Sequence, residues 1–154
     1  MIIFKQKGSL VLALTLFVSV TILSSCTSIK YSYDTRTPFS GLKTYAWAPS
    51  SVIYGGQDSL LETNVRVLAD QFLGQKGFTQ VPEKPDLLIS INYEPELGYS
   101  QYGYQLGMLT LSMHKSEKRE LVWRGTASGS IYTDAASGDL KRVVQAILSK
   151  FPPN

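Results

Sequence analysis

The polar and apolar pattern divides the chain into two unlike parts. Residues 10–23 form an uncharged, largely apolar run, with Lys5 and Lys7 before it and Ser24, Ser25 and Cys26 after it. A membrane-spanning helix needs about 20 apolar residues, so this run is short for a span and fits a secretory signal behind a basic start. Beyond it the pattern becomes a series of short alternations. Residues 29–33 and 43–47 alternate at period two and read as strands, the second with Tyr45 and Trp47 on one face. The segments 34–41 and 50–57, holding Pro38, Gly41, Gly55 and Gly56, read as loops.

A helix is predicted over 59–76. Ser59 and Glu62 have capping-box spacing, and Leu61, Val65, Leu68 and Phe72 recur at helical intervals. Gly77 suits the left-handed residue that closes it. A short strand at 78–81 and a turn at 82–85 lead to a strand at 86–93. There Leu87, Ile89, Ile91 and Tyr93 share one face, and Leu88, Ser90 and Asn92 the other. Residues 94–105 contain Pro95, Gly98 and Gly103 and read as a loop or irregular arm. Strands at 106–113 and 121–132 flank a charged tip, His114-Lys115-Ser116-Glu117-Lys118-Arg119-Glu120. On the last strand Leu121, Trp123, Ala127 and Ile131 share a face, and Gly125 and Gly129 leave room for a helix opposite. A second helix is predicted over 137–151, capped by Ser137 or Asp139. Its apolar stripe is Leu140, Val143, Val144, Ile147, Leu148 and Phe151, and Pro152 and Pro153 end it. The order predicts an α+β fold: an antiparallel β-sheet with two helices packed on one face, preceded by a cleaved signal peptide. Residues 1–25 are then the signal and 26–154 a single domain.

Charge and composition narrow the chemistry. The formal net charge is +3, but Lys5 and Lys7 belong to the signal, so the mature chain is close to neutral. Nothing electrostatic recommends nucleic acid as a partner. One Cys excludes an intramolecular disulfide and a Cys-rich zinc site, and one His argues against a multi-histidine metal centre. No metal or cofactor is expected.

Leu23-Ser24-Ser25-Cys26 resembles the lipobox of bacterial lipoproteins. The resemblance implies diacylglyceryl transfer to the Cys26 sulfur, cleavage after Ser25 and acylation, with palmitate for example, of the new amine. Acyl chains would hold the protein on a membrane durably. Thr27, rather than Asp, follows the Cys, which by resemblance to lipoprotein sorting favours the outer over the inner membrane.

Further motifs fall in a fixed order: Thr44-Tyr45-Ala46-Trp47, a helix ending in Lys76-Gly77-Phe78, Pro85-Asp86-Leu87-Leu88-Ile89, Leu121-Val122-Trp123-Arg124-Gly125-Thr126-Ala127, and a closing Phe151-Pro152-Pro153. Together they resemble the bacterial lipoprotein family catalogued as domain of unknown function 4136, over about 29–153. The resemblance implies fold and location and supplies no catalytic residues.

The chemistry-bearing residues are sparse. There is no phosphate-binding glycine loop and no Gly-x-Ser-x-Gly elbow. Glu94 and Glu96 flank Pro95 as a weak cation pair or an ordinary charged loop edge. Trp123 and Arg124 must point to opposite strand faces, Trp123 under a helix and Arg124 toward a ligand or a cross-strand Tyr. Tyr93, Tyr99, Tyr102 and Tyr104 form the densest aromatic group, suited to partner contact or to covering the open face of the sheet. The expected function is a lipid-anchored, periplasm-facing binding or scaffolding domain, non-enzymatic, held to the membrane through Cys26. Its partner would be an envelope protein or glycan, with Tyr99, Tyr102, Tyr104 and Arg124 as possible contacts. The alternatives are an envelope hydrolase with an unrecognised catalytic set, or a glycan- or peptide-binding module using the Tyr93–Tyr104 loop.

Overall fold

The computed structural model describes residues 27–49, 59–96, 105–134 and 138–153. The expected signal peptide, Cys26, Tyr99, Tyr102 and Tyr104 lie outside them. Six strands form one sheet: β1 (Ser28–Tyr33), β2 (Thr44–Trp47), β3 (Thr79–Gln80), β4 (Leu87–Pro95), β5 (Gln105–Lys115) and β6 (Leu121–Tyr132), in the order β1-β6-β5-β4-β2-β3. Two helices, α1 (Ser59–Gln75) and α2 (Asp139–Leu148), complete the α+β domain. Among the described residues, no helix is long and apolar enough to cross a membrane.

The sheet is mixed, not antiparallel throughout. β1, β6, β5 and β4 pair antiparallel in succession, but β2 runs parallel to both β4 and β3. The cause is the connection. Between β2 and β3 the chain makes a crossover through α1, which returns it in the same direction, whereas the β5–β6 hairpin reverses it. Period-two alternation reports which face a residue occupies and carries no information on strand direction.

Both helices lie on one face. The register carries that face across the sheet, from Trp47 through Ile89 and Met113 to Trp123 and Tyr33. The α1 stripe that reaches the core is Leu61, Val65, Ala69 and Leu73, all buried, while Leu68 and Phe72 are only partly buried. The buried line therefore sits beside the expected Leu61–Val65–Leu68–Phe72 stripe, with Ala69 and Leu73 in place of Leu68 and Phe72. The expected α2 stripe is buried in full. α2 begins at a left-handed Gly138, φ 65°, with no side-chain cap, and Asp139 sits in its first turn paired with Arg142. Gly125 explains how α2 gets so near β6: a Cβ there would stand 2.7 Å from the Ile147 Cγ2 and would also strike the Trp123 ring. Phe151 closes the end of this core, with ring centroids 5.9 Å from Phe39, 5.2 Å from Phe78 and 5.3 Å from Trp123.

Candidate functional site

The face without helices is hydroxyl-rich. Its rows follow from the register: Ser90 beside Ser112 beside Arg124 beside Ser32, and Asn92 beside Thr110 beside Thr126 beside Lys30. The alternation that buries Leu109, Leu111 and Met113 under the helices turns Thr110 and Ser112 to this side. Even so, Thr110 is only 6 % exposed and Ser112 only 2 %. They form the floor of a shallow depression of about 390 Å³, lined by Asn92, Met108, Thr110, Ser112, Arg124 and Thr126.

Buried hydroxyls need partners, and these have them. Thr110 Oγ1 and Thr126 Oγ1 lie 2.9 Å apart, one hydroxyl donating to the other across the strands. Arg124 Nε donates to Ser112 Oγ at 3.3 Å. One hydrogen bond to a buried floor residue thus orients an exposed guanidinium, whose remaining N–H groups make a planar donor fork. Such a surface can hydrogen-bond a hydroxylated or carboxylate-bearing ligand.

Other expected site residues fall elsewhere. Arg124 does not meet a cross-strand tyrosine, because Tyr31 and Tyr33 project to the helix-bearing face while Ser32 and Ser112 flank Arg124. Tyr93 also projects to the helix-bearing side, partly buried against the core, so it is no part of the open face. His114 is not in a turn; it belongs to β5, opposite Leu88 and Leu121. Leu121 does not join Trp123 in the core and is exposed. A bulge interrupts the ladder between Glu94 and Pro95, and Glu96 accepts a hydrogen bond from Ser130 Oγ at 3.1 Å. Among the described residues, no three His, Cys, Asp or Glu side chains come together as a metal site.

Two carboxylates that the sequence reading passed over organise the β2 end of the sheet. Asp86 Oδ2 accepts from the backbone N–H of Lys43, the backbone N–H of Thr44 and Thr44 Oγ1, each at 2.8 Å. The Lys43 and Thr44 donors hold its carboxyl below the usual carboxylate value. Asp70 Oδ1 accepts from Tyr45 Oη at 2.7 Å and Trp47 Nε1 at 3.0 Å. Burial, reinforced by this carboxylate, pushes the Tyr45 phenol up, so it stays protonated as a donor. Arg66 stacks 5.4 Å over the Trp47 ring and pairs with Glu62. The fixed Thr44-Tyr45-Ala46-Trp47 and Pro85-Asp86-Leu87 motifs were the available signal for both acids. These groups hold structure together. A wider cleft of about 730 Å³ beside Asp86 is lined by Lys84, Lys115, Glu117 and Lys118.

The sequence matches the family model described as a domain of unknown function, DUF4136, over residues 29–153. No curated protein matches it. Several solved structures share its fold. A DUF4136 family protein from Bacteroides thetaiotaomicron superposes with a TM-score of 0.56 at 13% identity, over 83% of this chain and 95% of its own. The PelC dodecamer protein from Paraburkholderia phytofirmans gives 0.57 at 13% identity, over 80% of this chain and 96% of its own. A PDZ domain protein from Parabacteroides distasonis gives 0.60 at 14% identity over 90% of this chain, which spans only 39% of that protein. At such identities the likeness is one of fold. The sequence match covers most of the chain, residues 29–153, and the architecture agrees with it, so the chain belongs to the DUF4136 family.

Proposed function

We propose that the chain is a lipid-anchored, periplasm-facing domain of the cell envelope that binds a polar ligand on the open face of its sheet and performs no catalysis. The observation that carries this reading is the Arg124–Ser112 pair: Ser112, only 2 % exposed, orients a charged donor fork in the lining of the depression. Exposed sheet arginines that serve only solubility need no such support. The anchor is Cys26, and Thr27 directs the protein to the outer membrane. β1 begins at Ser28, two residues after that Cys, so the anchor joins the domain without a long spacer. The ligand is an envelope glycan or peptide bearing hydroxyl or carboxylate groups, and Tyr99, Tyr102 and Tyr104 add ring contacts to it.

The test is purification of the acylated protein and its Arg124→Ala variant from membranes, with identification of co-purifying glycans and peptides. The reading expects a molecule retained by the parent and lost from the variant. Equal recovery with both proteins would remove the open face as the binding site.

A further inference from the structure

Strand β1 forms one edge of the sheet and pairs only with β6 among the described strands. Its two faces differ sharply. Ser28, Lys30 and Ser32 lie on the hydroxyl-rich face, while Tyr31 and Tyr33 project on the helix-bearing side. Both rings belong to the few large apolar side chains left in solvent, Tyr31 49 % and Tyr33 39 % exposed. They stack at 6.3 Å with an interplanar angle of 6°, and Tyr33 rests edge-on against Phe39 at 6.2 Å, so the pair is rigidly supported. Lys150, exposed just beyond the end of α2, neighbours this edge, because its carbonyl accepts from Trp123 Nε1, the residue opposite Tyr33.

Chain length decides what can cover these rings. Cys26 precedes Ser28 by two residues, which span at most about 7 Å. Tyr31 lies three residues further along an extended strand, about 10 Å. Given the acylation of Cys26 proposed above, on which this inference rests, the rings cannot lie far from the lipid surface. Tyrosine has an apolar body and a polar tip, the combination that suits the headgroup boundary. Lys150 beside them suits anionic headgroups. The geometry points to Tyr31 and Tyr33 as a membrane-contact element that seats the β1 edge against the leaflet holding the acyl chains. The domain then lies edge-on to the membrane, with the Arg124 face free at its side, and the opposite edge, β3, stands about 24 Å away across five inter-strand spacings.

The test uses the acylated, signal-cleaved protein in phosphatidylethanolamine–phosphatidylglycerol vesicles with brominated acyl chains, with the emission of Trp47 and Trp123 subtracted. The indole introduced by Tyr31→Trp, or separately by Tyr33→Trp, should lose about half its emission or more, as expected at interfacial depth. The indole introduced by Gln80→Trp on β3 should be unaffected. Mass spectrometry of the N-terminal peptide separates the two readings. An acylated Cys26 with equal, weak quenching at positions 31 and 80 overturns the tyrosine contact and leaves the anchor standing. A blue-shifted but unquenched indole at position 31 also overturns it, because a protein surface then covers the ring. An unmodified Cys26 removes the anchor and the contact together.

Discussion

Asp86 and Thr44, 42 residues apart in sequence, exchange hydrogen bonds in both directions. Thr44 Oγ1 donates to the Asp86 carboxylate at 2.8 Å, and the Asp86 backbone N–H donates to Thr44 Oγ1 at 2.9 Å. The pair stands where β2 and β4 begin side by side, so it pins the register of their parallel pairing. Parallel pairing cannot be set by a tight turn, and a side-chain clamp supplies what a hairpin would otherwise provide.

Asp86→Ala is therefore expected to cost about 1–3 kcal/mol near pH 7, since it leaves two backbone donors to find new partners. The pH dependence has a definite sign. The folded carboxyl is held below its ordinary value of 3.8, so the unfolded chain binds the proton more readily. The stabilisation is complete above that value and is lost as pH falls through the lower folded one. Urea unfolding of parent and variant should show a constant gap down to about pH 4.5 and a narrowing gap below pH 3.8. A gap that widens on acidification would show that the carboxylate is not what holds the clamp.

Gly125→Ala should destabilise the domain by about 1–3 kcal/mol, because the added methyl meets Ile147 at 2.7 Å and the rigid Trp123 ring. Ile147→Ala alone should cost about 2–5 kcal/mol as a buried truncation. The double variant should cost less than the sum of the two, since removing the Ile147 branch makes room for the new methyl. Thermal or urea unfolding of the four proteins gives the coupling directly, and strict additivity would place the strain elsewhere. Leu68→Ala, at a partly buried site, should cost less than Ile147→Ala.

How much of this could be read from the residues depends on the physics behind each feature. Gly125 and Trp123 were legible because alternation assigns strand faces and a glycine facing a helix has a packing reason. The α2 stripe was legible for the same reason, periodicity. The parallel direction of β2 was not, since face alternation is blind to direction. The shift from Leu68 to Ala69 escaped because both positions fit helical spacing after Val65 and hydrophobicity ranks Leu above Ala. Asp70 and Asp86 escaped because their partners, Tyr45, Trp47 and Thr44, are more than 20 residues distant. Arg124 was legible as a face assignment, but Ser112 beneath it required the strand register.

Cys26→Ser removes the only thiol in the chain. The expected result is a precursor that keeps residues 1–25 and carries no acyl group. Intact mass and radiolabelled palmitate incorporation would show it. Acylation of the Ser variant to the parental level would mean that the Leu23-Ser24-Ser25-Cys26 resemblance has been misread.

Arg124→Ala separates binding from folding. The guanidinium is exposed and its one described bond is to Ser112, so truncation should change stability by no more than about 0.5 kcal/mol, the range of ordinary surface sites. A hydrogen bond to a charged donor contributes about 1.5–3 kcal/mol, so ligand affinity should fall about tenfold or more. Ser112→Ala is the informative companion. It leaves Arg124 in place and removes the hydroxyl that orients it, so it should weaken binding by a smaller factor while keeping the charge. If the fork alone mattered, Ser112→Ala would bind like the parent. If the hydroxyls alone mattered, Arg124→Ala would bind like the parent while Ser112→Ala lost affinity. Loss in both, larger for Arg124→Ala and with unfolding midpoints close to the parent's, is the result that an oriented donor on a polar floor requires. Matching losses of stability in both variants would instead make Arg124 a cross-strand strut, and the open face would lose its claim to a ligand.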